Sequence, residues 1–203
     1  MAKRIITISR EFGSGGRFIG EEVAKKLGIA YYDKEMIGQI AEQAGLSSEY
    51  VRENAELSPK KGWFAYAFSG RDITGKSVED MVYEAQRKVI MEIAEKENCV
   101  IIGRNADFIL KDRKDVLNVF IHGSIPEKVR RICSLYNVTE VDAIKMINDI
   151  DKRRRTNYNF YTEQKWGMAE NYTMSLNSSV LGYDLCQNCL LYTSPSPRDS
   201  TSS

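Results

Sequence analysis

The segment IITISREFGSGGR, residues 5–17, decides the fold of this chain. It opens with a short apolar run rich in β-branched residues at 5–8, which is typical of a buried strand, and continues into a glycine cluster. Beyond the cluster, Ile19, Val23 and Leu27 recur at helical spacing on one face. The segment therefore predicts a strand, a glycine-rich loop and a helix in direct succession.

A glycine-rich loop between a strand and a helix can bind phosphate, because main-chain N–H groups and the N-terminus of the helix point into the turn. Small residues are needed there since a Cβ would block close approach of the backbone to a ligand. The alternative is a tight turn that needs glycine for positive φ and binds nothing. The length of the run favours phosphate binding, and the predicted nucleotide-binding residues are Arg10, Gly13, Ser14, Gly15 and Gly16.

The rest of the chain alternates predicted strands with predicted helices. After the first helix, which Gly28 ends, the predicted strands are 29–32, 99–102, 116–121 and 172–176. Predicted helices cover 77–98 and 126–135, and a third runs from about residue 140 into 153–155. This order predicts an α/β fold, a doubly wound five-stranded parallel sheet with helices on both faces, whose ligands bind at the carboxyl ends of the strands.

Composition and charge are those of an ordinary globular protein. Of 203 residues, 42% are apolar and 28% charged, which argues against disorder. The 29 basic and 28 acidic residues leave a formal charge of +1, so no global field attracts nucleic acid or an anionic membrane. The apolar run at 5–8 is too short for a signal peptide or a membrane span. We predict a cytoplasmic protein with no nucleic-acid or membrane partner, and the sequence leaves its oligomeric state open.

The loop departs from the phosphate-loop pattern G-x-x-x-x-G-K-[ST]. In register with that pattern, Arg10 stands at the first position, Gly16 at the lysine, and Arg17 at the hydroxyl residue that helps to hold Mg²⁺. Arginine can bridge phosphate oxygens in a bidentate way. We hypothesise that Arg17 or Arg10 supplies the positive charge. The metal would then be held by Ser9 or Ser14, or mainly by the nucleotide and water.

A basic stretch at residues 151–158, DKRRRTNY, follows an amphipathic helix. Phosphoryl transfer is catalysed largely by positioning and by neutralising charge on the transferring group, which arginines on a lid can do. We therefore predict catalytic roles for Arg153, Arg154 and Arg155, together with Arg17. The alternative is a solvated helix end whose positive charge complements the helix dipole.

Two further charged residues follow predicted strands, Asp33 after the second and Arg104 after the third. A doubly wound sheet places its substrate at this edge, so both are predicted to bind the substrate. Either would also suit a surface cap or a salt bridge. His122, the single histidine, also follows a strand and is better explained as structural. The aromatic cluster at 63–68 is expected to pack over the core or to stack on a base.

Taken together, these motifs resemble the cytidylate kinase-like family of P-loop proteins, of the nucleoside monophosphate kinase type. The resemblance extends over about residues 4–182 and rests on ITISREFGSGGR at 6–17, YYDKEMI at 31–37, VIIGRNADFIL at 100–110, and DKRRRTNYNFYT with WGMAENYTMSLNSS between 151 and 179. It implies ATP and Mg²⁺ at the glycine loop, an acceptor monophosphate between Asp33 and Arg104, and a lid that contributes residues 153–155. The implied reaction transfers the γ-phosphate of ATP to CMP, dCMP or a similar nucleotide. A nucleotide-binding regulatory protein without turnover, or a kinase of another small acceptor, are the alternatives.

We expect a single domain over residues 1–188, with an acceptor-binding insertion at about 34–98 and a lid at about 139–165. Residues 189–203, CLLYTSPSPRDSTSS, change abruptly to Ser, Pro and Thr without apolar periodicity. The beginning of this segment resembles the translation of a transposon-end sequencing adapter. We therefore expect a non-native tail, and the alternative is a natural disordered one.

Overall fold

The computed structural model describes residues 5–43 and 78–193. In chain order its elements are β1 (Ile5–Arg10), α1 (Gly16–Leu27), β2 (Ala30–Tyr32), α2 (Lys34–Gln43), α3 (Val78–Lys96), β3 (Cys99–Ile102), α4 (Ala106–Ile109), β4 (Val116–His122), α5 (Ile125–Tyr136), α6 (Glu140–Thr162), a 3-10 turn (Ala169–Asn171), β5 (Met174–Asn177) and α7 (Ser178–Thr193).

The five strands form one parallel sheet in the order β2-β3-β1-β4-β5. Strand β1 lies at the centre, where Ile8 pairs with Ile102 of β3 on one side and with Val119 of β4 on the other. The predicted five-stranded parallel sheet is confirmed. Because the chain crosses to opposite sides of β1, the loop after this strand lies at the point where the strand order reverses, which is where such sheets bind ligands.

Helices cover both faces of the sheet, as predicted. Alternate residues of a strand point to opposite faces, so Ile6 and Ile8 pack with α1 and α7 on one side, and Ile5 packs with α2 and α3 on the other. All three isoleucines are buried. The continuous apolar runs of the central strands are explained by this burial on two faces.

Two helix ends follow directly from residue chemistry. Gly28 adopts a left-handed conformation at φ 65° after α1, and its N–H bonds back to the carbonyl of Lys25. Thr139 caps α6, because its Oγ1 accepts the N–H of Asp142 at 3.2 Å. Gly28 therefore fixes where α1 ends, and Thr139 fixes where α6 begins.

Four features differ from the sequence-based expectation in extent. Helix α6 continues without a break to Thr162, the short helix α4 was not predicted, and β5 begins two residues later, at Met174. Helix α7 has non-helical backbone at Gly182 (φ 71°, ψ 168°), and it continues to Thr193. Within it Leu190 is fully buried against the α1 side of the core.

Several predictions fall outside the described residues. These are the aromatic cluster at 63–68, the first residue of the helix predicted at 77–98, and about half of the insertion at about 34–98. The lid predicted at about 139–165 corresponds to α6 and the turn after it, and its role as a lid stays a prediction. So does the non-native origin of residues 189–203. Within residues 5–43 and 78–193, no helix combines the length and apolar character needed to cross a bilayer.

Candidate functional site

The loop after β1 is a tight turn built by glycine and by its own hydrogen bonds. Gly13 and Gly15 have φ of 83° and 80°, a region that side chains with a Cβ rarely adopt. The Ser14 N–H and Oγ–H both donate to the carbonyl of Glu11, at 3.3 and 2.9 Å. The Glu11 N–H donates to the carbonyl of Ile121 in β4 at 3.0 Å, so the turn is anchored to the sheet.

The N-terminus of α1 opens into this turn. Gly15 is its capping residue, with no side-chain cap, and no acidic residue stands in the first turn of this helix. The first N–H groups of a helix lack intrahelical partners and carry the positive end of its dipole. The combination suits a bound anion, as the sequence predicts.

A cavity of about 380 Å³, which we call the loop cavity, lies beside this turn. It is lined by Gly13, Gly15 and Gly16 and by charged residues that include Arg10, Arg17, Asp33, Arg131 and Arg154. On another side the turn is covered, because a Cβ on Gly15 would lie 2.6 Å from the ring of Tyr183. Glycine at this position is therefore required both by φ and by the ring.

The turn after β3 has a strained backbone and places Arg104 next to the glycine loop. Gly103, Arg104 and Asn105 all have positive φ, at 70°, 58° and 54°. Left-handed geometry costs a non-glycine residue about 1–2 kcal/mol. The Gly103 N–H donates to the carbonyl of Ile8 at 3.0 Å, which holds this turn against the end of β1. Strain of this kind is common at binding and catalytic sites.

A second cavity, of about 50 Å³, is lined by Arg10, Arg104, Arg153 and Arg154. We call it the arginine cavity. Its other lining residues include Ser9, Asn157 and Tyr158, and among the described residues no acidic side chain lines it. Like charges around so small a volume repel one another, although Arg154 also pairs with Asp151 at 3.6 Å, and an anion would relieve that repulsion. Since Arg10 and Arg154 line both this cavity and the loop cavity, the two are neighbours.

A third cavity, of about 520 Å³, lies between α5 and α7 on the other side of the loop. We call it the α5–α7 cavity. Its lining includes Gly13, Arg131, Ser179 and Tyr183. The Arg131 guanidinium donates to the Tyr183 hydroxyl at 2.7 Å and lies 4.8 Å from the centre of its ring. Gly13 and Arg131 also line the loop cavity, so the glycine loop has a cavity on either side.

A family model described as the cytidylate kinase-like family matches residues 5–180 of the chain. The chain belongs to the cytidylate kinase-like family. Membership of this family supports a nucleotide-binding kinase in general terms. No curated protein matches this chain significantly.

Solved structures share the fold of this cytidylate kinase-like protein. A crystal structure of an uncharacterized protein from Eubacterium ventriosum is 26% identical, with a TM-score of 0.73, over 94% of this chain and 97% of that one. Shikimate kinases from Bacteroides thetaiotaomicron and Acinetobacter baumannii are 16% and 14% identical, with TM-scores of 0.50 and 0.52. The first covers 93% of this chain and 96% of its own, and the second 98% and 96%. These likenesses show a P-loop kinase fold.

In this cytidylate kinase-like protein most of the predicted site residues converge at the carboxyl ends of the strands. The exceptions are Ser14 and Arg155. The Ser14 side chain is 1% exposed and its hydroxyl bonds within the loop. The Arg155 guanidinium lies 5.9 Å from the ring centre of Trp166. The residues that line the loop or arginine cavities are Arg10, Gly13, Gly15, Gly16, Arg17, Asp33, Arg104, Arg153 and Arg154.

Arg17 and Asp33, predicted separately for catalysis and substrate binding, form an ion pair. The Arg17 Nη2 lies 2.7 Å from Asp33 Oδ2. The other carboxylate oxygen of Asp33 accepts the N–H groups of Glu35 and Met36, at 3.0 and 3.2 Å, and so caps α2. The capping role that the sequence left open for Asp33 is therefore present. Arg17 remains 60% exposed, so it can also reach a ligand in the loop cavity.

Sequence reasoning missed a buried ion cluster under the loop. Lys128 Nζ lies 2.9 Å from Glu11 Oε2 and 3.8 Å from Asp151 Oδ2. Burial raises the pKa of Asp151, against the opposing effects of the Phe12 N–H and of the positive charge on Arg154 and Lys128. A signal was present in the sequence, because Lys128 stands four residues before Ile132 on the apolar face of α5.

Asp107 is a second group that the sequence did not reveal. Its carboxylate accepts the Ser9 hydroxyl at 3.2 Å and the Tyr158 hydroxyl at 2.7 Å. Burial raises its pKa, although these hydrogen bonds favour the charged form. Ser9 and Tyr158 line the arginine cavity. By accepting their hydroxyl hydrogens, Asp107 sets the orientation of two hydroxyl groups in the lining of that cavity. In the sequence Asp107 is only one polar residue in a short segment between strands.

Proposed function

We propose that this protein is an ATP-dependent phosphotransferase whose acceptor is a nucleoside monophosphate such as CMP or dCMP. The observation that supports this most strongly is the arginine cavity beside the glycine loop. Phosphoryl transfer needs two anionic groups held next to each other with their charge neutralised. The two neighbouring cavities, which share Arg10 and Arg154, are suited to that arrangement.

The donor ATP would place its phosphates on residues 13–17. The N-terminus of α1 and the exposed guanidinium of Arg17 would then carry the charge that a lysine supplies in the usual loop. The nucleoside would enter the α5–α7 cavity, whose lining includes the Arg131 guanidinium stacked over the Tyr183 ring. The volumes of about 520 and 380 Å³ together fit a nucleoside triphosphate.

The acceptor phosphate would bind in the arginine cavity. Arg104 would hold it, and Arg153 and Arg154 would neutralise the group in transit. An acceptor oxygen attacks the γ-phosphorus, the bond from that phosphorus to the β–γ bridging oxygen breaks, and ADP leaves. In this proposal Asp33 holds Arg17 at the edge of the loop cavity. Arg155, which lies over Trp166, would act only by adding positive charge near the arginine cavity.

The described residues fit a magnesium ion only if the nucleotide holds most of it. Among them no group of three or more acidic, cysteine or histidine side chains could hold a metal. Ser9 is the better placed hydroxyl, because it lines the arginine cavity while Ser14 bonds within the loop. Mg²⁺ often binds to substrate phosphates and waters with few protein ligands. When bound, it would neutralise phosphate charge.

A regulatory nucleotide-binding protein without turnover is the second candidate. It is favoured by Gly16 at the position of the lysine and by the ion pair that holds Arg17 to Asp33. Such a protein would bind ATP in the same cavities but transfer no phosphate.

Purified protein with Mg-ATP, assayed for ADP against CMP, dCMP, UMP and AMP, tests the proposal. We expect acceptor-dependent ADP formation with at least one pyrimidine monophosphate, and its loss in Arg104→Ala. Arg87→Ala is the matched control, because Arg87 is exposed on α3 and lines none of the three cavities. ATP binding without transfer to any of the four would instead support the regulatory function.

A further inference from the structure

Three consecutive residues, the last of β1 and the first two of the glycine loop, are tied to α5 and α6 in addition to the loop's own hydrogen bonds. The Arg10 carbonyl accepts Arg154 Nη1 at 3.1 Å. The Glu11 carboxylate accepts Lys128 Nζ at 2.9 Å. The Phe12 N–H donates to Asp151 Oδ1 at 2.7 Å. The first half of the loop is therefore held partly by side chains that come from more than a hundred residues further along the chain.

The groups that make these ties balance one another in charge, and two of the four, Lys128 and Asp151, are buried, whereas Glu11 and Arg154 are partly exposed. The side chain of Lys128 is 4% exposed and that of Asp151 is 9% exposed. Lys128 and Arg154 bring two positive charges, and Glu11 and Asp151 bring two negative ones. Because its charges balance, the cluster has little net charge to attract an anion, and only Arg154 brings a positive charge from it to the lining of the cavities. Its effect on a ligand must therefore come from the geometry it imposes.

The same cluster joins the loop to the helix that carries the arginines. Asp151 and Arg154 stand one turn apart on α6, and Arg154 also lines the loop and arginine cavities. Lys128 lies under the turn, with its Cβ 3.1 Å from the place where a Cβ of Gly13 would stand. Any displacement of α6 would break the bonds to Arg10 and Phe12. The conformation of the loop and the position of α6 are thus linked.

We propose that Lys128, with Glu11 and Asp151, is a positioning residue for the polyphosphate: it holds residues 10–12 in the shape the glycine loop needs and links that shape to α6. The proposal rests on the proposed function for the identity of the ligand, a polyphosphate on residues 13–17. The sequence pattern predicts that the glycine loop orders itself. In this proposal, residues of α5 and α6 also order it. Lys128 lines none of the three cavities, so it acts through the loop. Glu11 lines the loop cavity, where loss of its negative charge would by itself favour a polyphosphate, so weaker binding in the variant would be an effect of geometry.

The test uses the double variant Glu11→Gln/Lys128→Met in the full chain. It removes one positive and one negative charge, so no unbalanced charge is left buried. Hydrogen exchange of the Phe12 amide reports the loop, and that of the Val119 amide in central strand β4 reports global opening. Equilibrium titration with Mg-ATP and with inorganic tripolyphosphate reports the ligand. Lys25→Met is the matched control, since Lys25 is exposed on α1 and pairs only with Glu21 and Glu22 among the described residues.

We expect the Phe12 amide to exchange at least tenfold faster in the double variant while the Val119 amide changes less than threefold. We also expect both polyphosphates to bind at least tenfold more weakly, and the control to match the unaltered protein. Equal acceleration of the two amides, or none at Phe12, would show a merely structural cluster and overturn the proposal. So would polyphosphate affinity within twofold of the unaltered protein.

Failure of the proposed function is visible separately. If the unaltered protein binds neither Mg-ATP nor tripolyphosphate, the kinase proposal fails, and the Phe12 exchange alone decides whether the cluster positions the loop. If the double variant is unfolded by circular dichroism, Glu11→Gln/Lys128→Gln, which keeps the charge balance and a polar group at both positions, is judged by the same measurements.

Discussion

Asp107 is, at 3% exposed, the most buried of the described acidic side chains. Burial raises its pKa above the ordinary 3.8, so the folded protein holds this proton to a higher pH than the unfolded chain does. The contribution of Asp107 to stability is therefore greatest at or below pH 3.8. It falls as the pH rises through the raised pKa, by about 1.4 kcal/mol for each pH unit in that window.

The variant Asp107→Asn removes this titration and keeps the size of the side chain. We expect the unfolding free energy of the unaltered protein, minus that of the variant, to fall as the pH rises from about 4 towards neutrality, when measured by urea unfolding. Asp112→Asn, at an exposed position, is the control and should give a nearly constant difference. A difference that grows with pH would contradict the account of Asp107.

Arg154 and Arg155 are neighbours in sequence with different surroundings. Arg154 lines the loop and arginine cavities, whereas the Arg155 guanidinium lies over Trp166. We expect Arg154→Ala to lower kcat/KM for ADP formation by about 10²-fold or more, because the transferring group would lose one of the two arginines proposed to neutralise its charge. Arg155→Ala should lower it by less. Equal losses in the two variants would mean that the arginine cavity does not hold the transferring group.

At this scale the sequence reveals residues that stand in local motifs and misses those that long-range contacts bring in. Gly13, Gly15 and Arg104 follow strands directly, and strand ends meet at one edge of a parallel sheet. Lys128 and Asp107 become important only through partners that lie between about 20 and 120 residues away. A local sequence pattern cannot predict contacts between residues so far apart in the sequence.

Helix α6 carries the arginines to the site, and its start is fixed by one residue. Thr139 Oγ1 accepts the Asp142 N–H at 3.2 Å and donates to the Asp142 carboxylate at 2.7 Å. We expect Thr139→Ala to cost about 1 kcal/mol of unfolding free energy. Thr156→Ala, at an exposed position inside the same helix, is the control and should change stability by a few tenths of a kcal/mol at most.

Chemical denaturation with circular dichroism measures both threonine variants. A Thr139→Ala protein as stable as its Thr156→Ala counterpart would show that the cap contributes nothing to α6. If the cap stabilises the helix as expected, the loss should be seen in unfolding, and transfer activity under native conditions should change little, because Thr139 lies far along the helix from the arginines.

Among the elements, strands are predicted best because a buried strand must be a short apolar run. The bounds of β3 match the prediction. Strand β1 is two residues longer than predicted, and β4 is one residue longer. The left-handed turn at 103–105 and the helix α4 after it escaped prediction. Non-glycine residues adopt that geometry only when the surrounding fold compels them, so local preference gives no sign of it.

The core of the whole molecule includes the last described helix. Leu190 is fully buried with Cys186 on the α1 side of the sheet, although it falls in the segment predicted to be a non-native tail. We expect Leu190→Ala to lower the unfolding free energy by about 2–5 kcal/mol. Leu185→Ala, in the same helix at 48% exposure, should cost well under half of that. Similar small effects in both variants would mean that this end of α7 does not stabilise the fold.

The fold class followed from the alternation of apolar runs and helical faces, which is a property of the entire chain. The cavities did not follow from it, because each is enclosed by elements far apart in sequence. Arg10, Arg104 and Arg154 come from β1, from the turn after β3 and from α6. Their convergence depends on the strand order of the sheet, which the sequence pattern alone does not specify.

The central claim is that the glycine loop holds the phosphates of ATP, and amide chemical shifts test it most directly. In a titration of uniformly ¹⁵N-labelled protein with Mg-ATP, we expect saturable shifts concentrated at the amides of residues 13–17. Smaller shifts should appear at Arg131 and Tyr183. Saturable binding that leaves the amides of 13–17 unmoved, or no binding at millimolar Mg-ATP, would contradict the account.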